Sequence, residues 1–159
     1  MSIVKALRFP VSVRWRGGRL TGLSAVGKPD LEVATPPEFR GGVAGVWSPE
    51  DLLVASAATC FAVTLVAIAE RMQVPMRALE VTGTGHVSKR DDGRFGFVAI
   101  ELDVALETSP ERIEAAERAA EVAEERCLVS MALDIPVHVA VAARGQGNHL
   151  TSLGEGSKP

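Results

Sequence analysis

Residues 52–69 carry no charged side chain. The stretch "WSPED" precedes them, and together they predict one long helix from about Ser48 to Met72. Ser48 suits the N-cap. Pro49 suits the first helical position, where no amide bond is lost, and Asp51 completes a capping-box pattern. An uncharged run of this length approaches what crosses a bilayer. Its content argues against that use, because Ala, Ser and Thr outweigh Leu and Ile, the run is the only one of its kind, and no basic flank anchors it. A helix apolar on every side must instead be covered on every side. One small domain has difficulty wrapping such a helix, so a second copy of the chain is the expected cover.

The rest of the chain alternates strands with turns. Residues 7–15 and 19–26 predict a hairpin closed by "RGG", and residues 31–35 a third strand. "PPEFRGGVAG" is a Pro- and Gly-rich loop. Residues 77–90 and 94–107 alternate with period two about the turn "DDG" and predict a longer hairpin. "SPERIEAAERAAEVAEER" predicts an amphipathic helix from Pro110 to about Arg126, and residues 135–144 a last strand. The order βββ-α-ββ-α-β defines an α+β fold. With 159 residues, 47% of them apolar, a single domain over residues 1–144 has material for a core. Residues 145–159 are expected to form a mobile tail.

Composition removes several functions. A net charge of −3 offers nothing to nucleic acid or an anionic membrane, and 4% aromatics with no Tyr provide no base-stacking platform. The N-terminal residues alternate rather than form a secretory apolar core, which predicts a cytoplasmic protein. In that compartment a structural disulfide does not persist, so Cys60 and Cys127 are buried thiols, a metal pair or a redox pair. His86 and His138 lie in alternating strands and read as surface or wall residues; His149 lies in the tail. A zinc site would have to gather isolated ligands, because no paired spacing exists. No phosphate loop is present, since "GTG" falls inside a strand pattern. A cysteine hydrolase would need a histidine beside Cys60, and the sequence does not place one.

Three stretches carry a resemblance: "PPEFRGG", "WSPEDLLVASAATC", with its Cys ten residues after the Glu, and "ERCLVS" after the second helix. Over residues 7–144 the chain resembles the OsmC/Ohr superfamily, the osmotically inducible and organic hydroperoxide resistance proteins. The resemblance implies an OsmC-like fold, an intertwined homodimer with long central Cys-bearing helices, and a thiol peroxidase for organic hydroperoxides. It makes Cys60 the peroxidatic and Cys127 the resolving cysteine. It implies no bound cofactor or metal, and an external dithiol as reductant. It also implies that a Glu and an Arg hold the thiolate. Glu50 matches the Glu, and Arg40 matches the Arg of the osmotically inducible branch. Arg14, Arg16 and Arg19 are the alternatives offered by the hydroperoxide resistance branch. Leu128 stands where many members have Pro, and "PPEFRGGVAGVW" looks like a third branch.

The chemistry asks for these residue types. Only a thiolate attacks a peroxide oxygen well, and burial opposes the thiolate, so a guanidinium is needed beside it. Arg keeps its charge and presents a planar fork. A nearby Cys then traps the sulfenic acid before it is oxidised further. Glu50 and Cys60 are ten residues apart, roughly 15 Å along one helix and well off a common face. Glu50 is therefore expected to serve the partner's Cys60, where two such helices cross near residue 55. Two other readings are an OsmC-fold redox sensor or apolar-ligand binder without turnover, and an α+β thioesterase-like hydrolase.

Overall fold

The computed structural model describes residues 6–145. It divides into two compact units, Met1–Ala55 and Ser56–Pro159. The boundary falls within the long helix. The tail expected beyond residue 145 and His149 lie outside the described residues, and Gly145 itself closes the last strand.

The first unit holds an antiparallel sheet in the order β1-β2-β3, formed by β1 (Ser12–Gly17), β2 (Leu20–Ser24) and β3 (Leu31–Ala34). The first strand begins later than its alternation predicts. Ser12 already pairs with Ser24, the last residue of β2, and the chain beyond turns through an Ala25–Lys28 hydrogen bond. Residues 7–11 thus have no strand to pair with. Leu7, Phe9, Val11, Val13 and Trp15 are all exposed. The loop after β3 is tightly wound. Phe39 N–H donates to Pro36 O at 3.0 Å, Gly42 N–H to Phe39 O at 2.9 Å, and Val43 N–H back to Thr35 O at 2.9 Å. Gly42 packs so close to the Pro36 carbonyl that no Cβ fits.

Helix α1 (Pro49–Arg71) starts as the sequence predicts. The Ser48 amide and hydroxyl donate to Asp51 Oδ2 at 2.9 and 2.8 Å, and the Asp51 amide donates to Ser48 Oγ at 3.0 Å. This reciprocal cap satisfies amides that the first turn leaves free. The far end is a Schellman turn. Gln73 N–H donates to Glu70 O at 3.1 Å and Val74 N–H to Ala69 O at 2.9 Å, with Gln73 left-handed at φ 54°. Arg112 reaches over this end and donates through Nη2 to Met72 O at 2.8 Å and Gln73 O at 3.3 Å. By length and composition alone α1 could cross a membrane. In the single chain it is buried along one stripe rather than all round. Ala57, Phe61, Leu65, Ile68 and Ala69 are buried, while Val63 and Val66 are exposed.

The second unit is built on the sheet β4-β5-β6. β4 (Ala78–Lys89) and β5 (Phe95–Thr108) form the expected long hairpin, and β6 (Val137–Gly145) joins β5 in parallel. Alternation sorts the faces of β5: Ile100, Leu102, Val104 and Leu106 are buried, and Glu101, Asp103 and Ala105 are exposed. A parallel neighbour needs a crossover, and α2 (Ile113–Arg126) supplies it and packs on β6. Its buried face is Ala115, Ala116, Ala119, Ala120 and Ala123. The predicted start at Pro110 is corrected: Pro110–Arg112 form a 3-10 turn, and α2 begins at Ile113. The Ser109 N-cap makes no side-chain cap bond, unlike Ser48. A short helix that the sequence reading did not anticipate, α3 (Leu128–Ala132), lies between Cys127 and β6. Taken together the elements are α+β, as expected.

Candidate active site

Cys60 sits on the shoulder of the buried stripe of α1, three residues after Ala57, and is half-buried. Cys127 is fully buried at the junction where α2 ends and α3 begins. The chain turns there with φ −68° and ψ 108°. Both cysteines are free thiols. The structure brings them together, and the Cys60 thiol is one of the neighbours that hold the Cys127 thiol down. Residues 67 positions apart in the chain thus meet at one point, which spacing alone does not reveal.

The surroundings of Cys127 favour its anion. Burial acts most strongly and pushes the thiol up. The hydroxyl of Ser130, the Ser130 amide, the Cys60 thiol and the Val129 amide outweigh it, so that the Cys127 thiol lies below its ordinary value. Cys127 occupies the N-cap position of α3, where its side chain makes no cap hydrogen bond and its carbonyl accepts from Met131 N–H at 3.0 Å. Ser130 is the site residue missed in the sequence reading. Its signal was a hydroxyl three residues after a cysteine, the spacing by which an N-cap and the first helical turn meet. Leu128 and Met131, on the same short helix, are largely exposed.

Glu50 and Arg40 belong to the first unit. Glu50 lies in the first turn of α1, and its Oε2 is buried without a hydrogen-bond partner. Arg40 is exposed in the wound loop and forms no ion pair among the described residues. Of the alternatives, Arg14 is exposed on β1, Arg16 lays its guanidinium over Gly22, and Arg19 packs beside Gly41. His86 and His138 flank Glu101 on the exposed face of the second sheet. His86 Nε2 lies 3.2 Å from Glu101 Oε2, so both histidines are surface residues, as their strand positions predict. Among the described residues no three His, Cys, Asp or Glu side chains gather as a metal site.

Comparison with known proteins agrees with this architecture. The sequence model of the OsmC-like protein family matches residues 42–142, and the chain belongs to that family. No curated protein sequence matches it. An OsmC-like protein of unknown function from Vibrio cholerae superposes with a TM-score of 0.79 at 15% identity, covering 86% of this chain and 100% of that one. An organic hydroperoxide resistance protein from Legionella pneumophila gives 0.70 at 24% identity, covering 87% and 98%. The organic hydroperoxide resistance protein OhrB of Bacillus subtilis gives 0.62 at 25% identity, again covering 87% and 98%.

Proposed function

We propose that this chain is a cysteine-based peroxidase that reduces organic hydroperoxides. The observation that carries the reading is the meeting of a half-buried Cys60 with a fully buried Cys127. A lone buried cysteine is ordinarily packing; two neighbouring thiols, one of them favoured as its anion, support a redox pair. The names of the Legionella and Bacillus neighbours point the same way.

The Cys60 thiolate attacks the distal peroxide oxygen. The O–O bond breaks, the alcohol leaves as its alkoxide and takes a proton, and Cys60 becomes a sulfenic acid. Cys127 then attacks the Cys60 sulfur, the S–O bond breaks, and hydroxide leaves to become water. An external dithiol reduces the resulting disulfide, and no bound cofactor or metal takes part. Leu128 and Met131 favour a hydroperoxide with an apolar tail over hydrogen peroxide, because contact with such a tail removes their surface from water.

The working unit in this reading is a homodimer in the cytoplasm. Exposed Val63 and Val66 on α1 and the exposed apolar residues near β1 support a second copy as their cover. The unpartnered Oε2 of Glu50 supports a guanidinium brought to it at the assembled site, and Arg40 takes that role. Glu50 then orients the Arg beside the partner's thiolate. The test is loss of cumene hydroperoxide in the presence of dithiothreitol. Wild type consumes it over many turnovers, and Cys60→Ser does not. No consumption above a protein-free control favours a redox sensor or ligand binder of the same fold, and release of thiol from an acyl thioester favours a hydrolase.

A further inference from the structure

We infer that Arg112 is a positioning residue of the thiol pair: it ties the start of α2 to the end of α1 and so sets the level along α1 at which Cys127 meets Cys60. The role deepens the proposed redox pair and rests on that reading. Arg112 belongs to both helices at once. Its backbone immediately precedes α2 and is fixed there, because its amide donates to Ser109 O at 2.9 Å. Its side chain donates through Nη2 to Met72 O at 2.8 Å and to Gln73 O at 3.3 Å, in the turn that ends α1. Carbonyls at a helix C-terminus have no partner within the helix, and this one guanidinium takes up two of them. The Nε of the same fork is buried without a hydrogen-bond partner, so that part of the side chain is enclosed by packing rather than free to move in water.

The lengths of the two arms give the tie its reach. Cys60 lies twelve residues before Met72, roughly 18 Å along α1, and Cys127 lies fifteen residues after Arg112, roughly 22 Å along α2. Two arms that start from a common point and differ by less than one helical turn bring the cysteines to one level when α2 runs back alongside α1. Thr108 makes a second link at the same end, its Oγ1 donating to Pro75 O at 2.7 Å. That bond joins β5 to the loop after α1 and does not hold α2. Arg112 joins the two cysteine-bearing helices directly. A disulfide needs its Cα atoms within about 7 Å, so a slip of one turn between α1 and α2, about 5.4 Å, is enough to keep it from closing.

The test is thiol–disulfide exchange with glutathione, which needs no peroxide. One oxidised glutathione takes two electrons and two protons from the pair and leaves as two reduced glutathiones, while the Cys60–Cys127 bond forms. Peptide mapping across a series of glutathione ratios, well below Tm, gives the equilibrium constant for wild type, Arg112→Met, Arg112→Lys and Ser48→Ala. Arg112→Met keeps the alkyl stem and loses every donor, and it disfavours the disulfide about fivefold, the lower end of coupling between two sites. Arg112→Lys falls between, because an ammonium reaches a carbonyl without the fork; it decides by the sign of its shift if the methionine variant does not fold. Ser48→Ala loosens α1 at its opposite end by breaking the cap with Asp51. It lowers Tm and leaves the constant at the wild-type value. A constant unchanged in Arg112→Met, or shifted equally in Ser48→Ala, overturns the positioning role and leaves Arg112 a clamp on stability alone. A wild type that forms no Cys60–Cys127 disulfide at any ratio overturns the redox pair, and this role with it. A wild type that forms the disulfide but consumes no hydroperoxide overturns the peroxidase alone, and the fivefold shift in Arg112→Met still supports Arg112.

Discussion

Replacing Arg112 by alanine removes the clamp on the C-terminal end of the helix that carries Cys60. In the folded chain its Nη2 donates at 2.8 Å to Met72 O and at 3.3 Å to Gln73 O. A hydrogen bond from a charged donor contributes about 1.5–3 kcal/mol, and the short bond counts near the low end because the side chain is half exposed. The bond at 3.3 Å is long and exposed and adds little. A cation at a helix C-terminus adds roughly 0.3–1 kcal/mol. The expected loss is about 2 kcal/mol. For a chain of this size each kcal/mol moves Tm by about 2–4 °C, so Arg112→Ala lowers Tm by roughly 4–8 °C. Arg112→Lys keeps the charge but not the planar fork and falls between. The assay is thermal unfolding followed by far-ultraviolet circular dichroism in low and high salt. A Tm within about 1 °C of wild type refutes the reasoning, because it means the carbonyls of Met72 and Gln73 are satisfied equally well by water.

Other substitutions probe separate links. Gln73→Gly relieves the left-handed φ of 54° and stabilises by about 0.5–1 kcal/mol in the same melt. Gly42→Ala forces the Pro36 carbonyl aside and destabilises by more than about 2 kcal/mol in urea unfolding; a neutral result means the loop rewinds freely. Ser48→Ala breaks the reciprocal cap with Asp51 and costs about 1 kcal/mol. The lowered Cys127 thiol also sets a pH dependence. The unfolded chain holds that proton to higher pH than the folded one, so the stability advantage over Cys127→Ala grows as pH rises toward the ordinary thiol value. It is lost as pH falls through the folded value, and a flat difference contradicts it.

The parts of this molecule that local chemistry determines were legible in the sequence. Ser48, Pro49 and Asp51 marked the start of α1, and period-two alternation marked β4 and β5. The later start of β1 was not legible, because the end of pairing is set by where β2 turns away at Ser24. The same Ser-Pro-Glu letters at Ser109 opened a 3-10 turn, where Ser109 makes no side-chain cap bond. Helix α3 escaped notice because five residues make too short a pattern, and Ser130 escaped with it. The uncharged run of α1 predicted burial all round, yet one chain buries a single stripe, and Val63 and Val66 stay outside it. Cys60 and Cys127 could be singled out individually. Their meeting joins residues 67 positions apart in the chain, a long-range fact that entered only through the family resemblance.

The account's central claim is that Cys60 and Cys127 form one redox couple driven by organic hydroperoxide. The direct measurement is mass spectrometry of the reduced protein after one equivalent of cumene hydroperoxide, with peptide mapping under non-reducing conditions. The account predicts an intramolecular Cys60–Cys127 disulfide and one peroxide consumed per disulfide formed. Both thiols left free, with the peroxide intact, contradicts it.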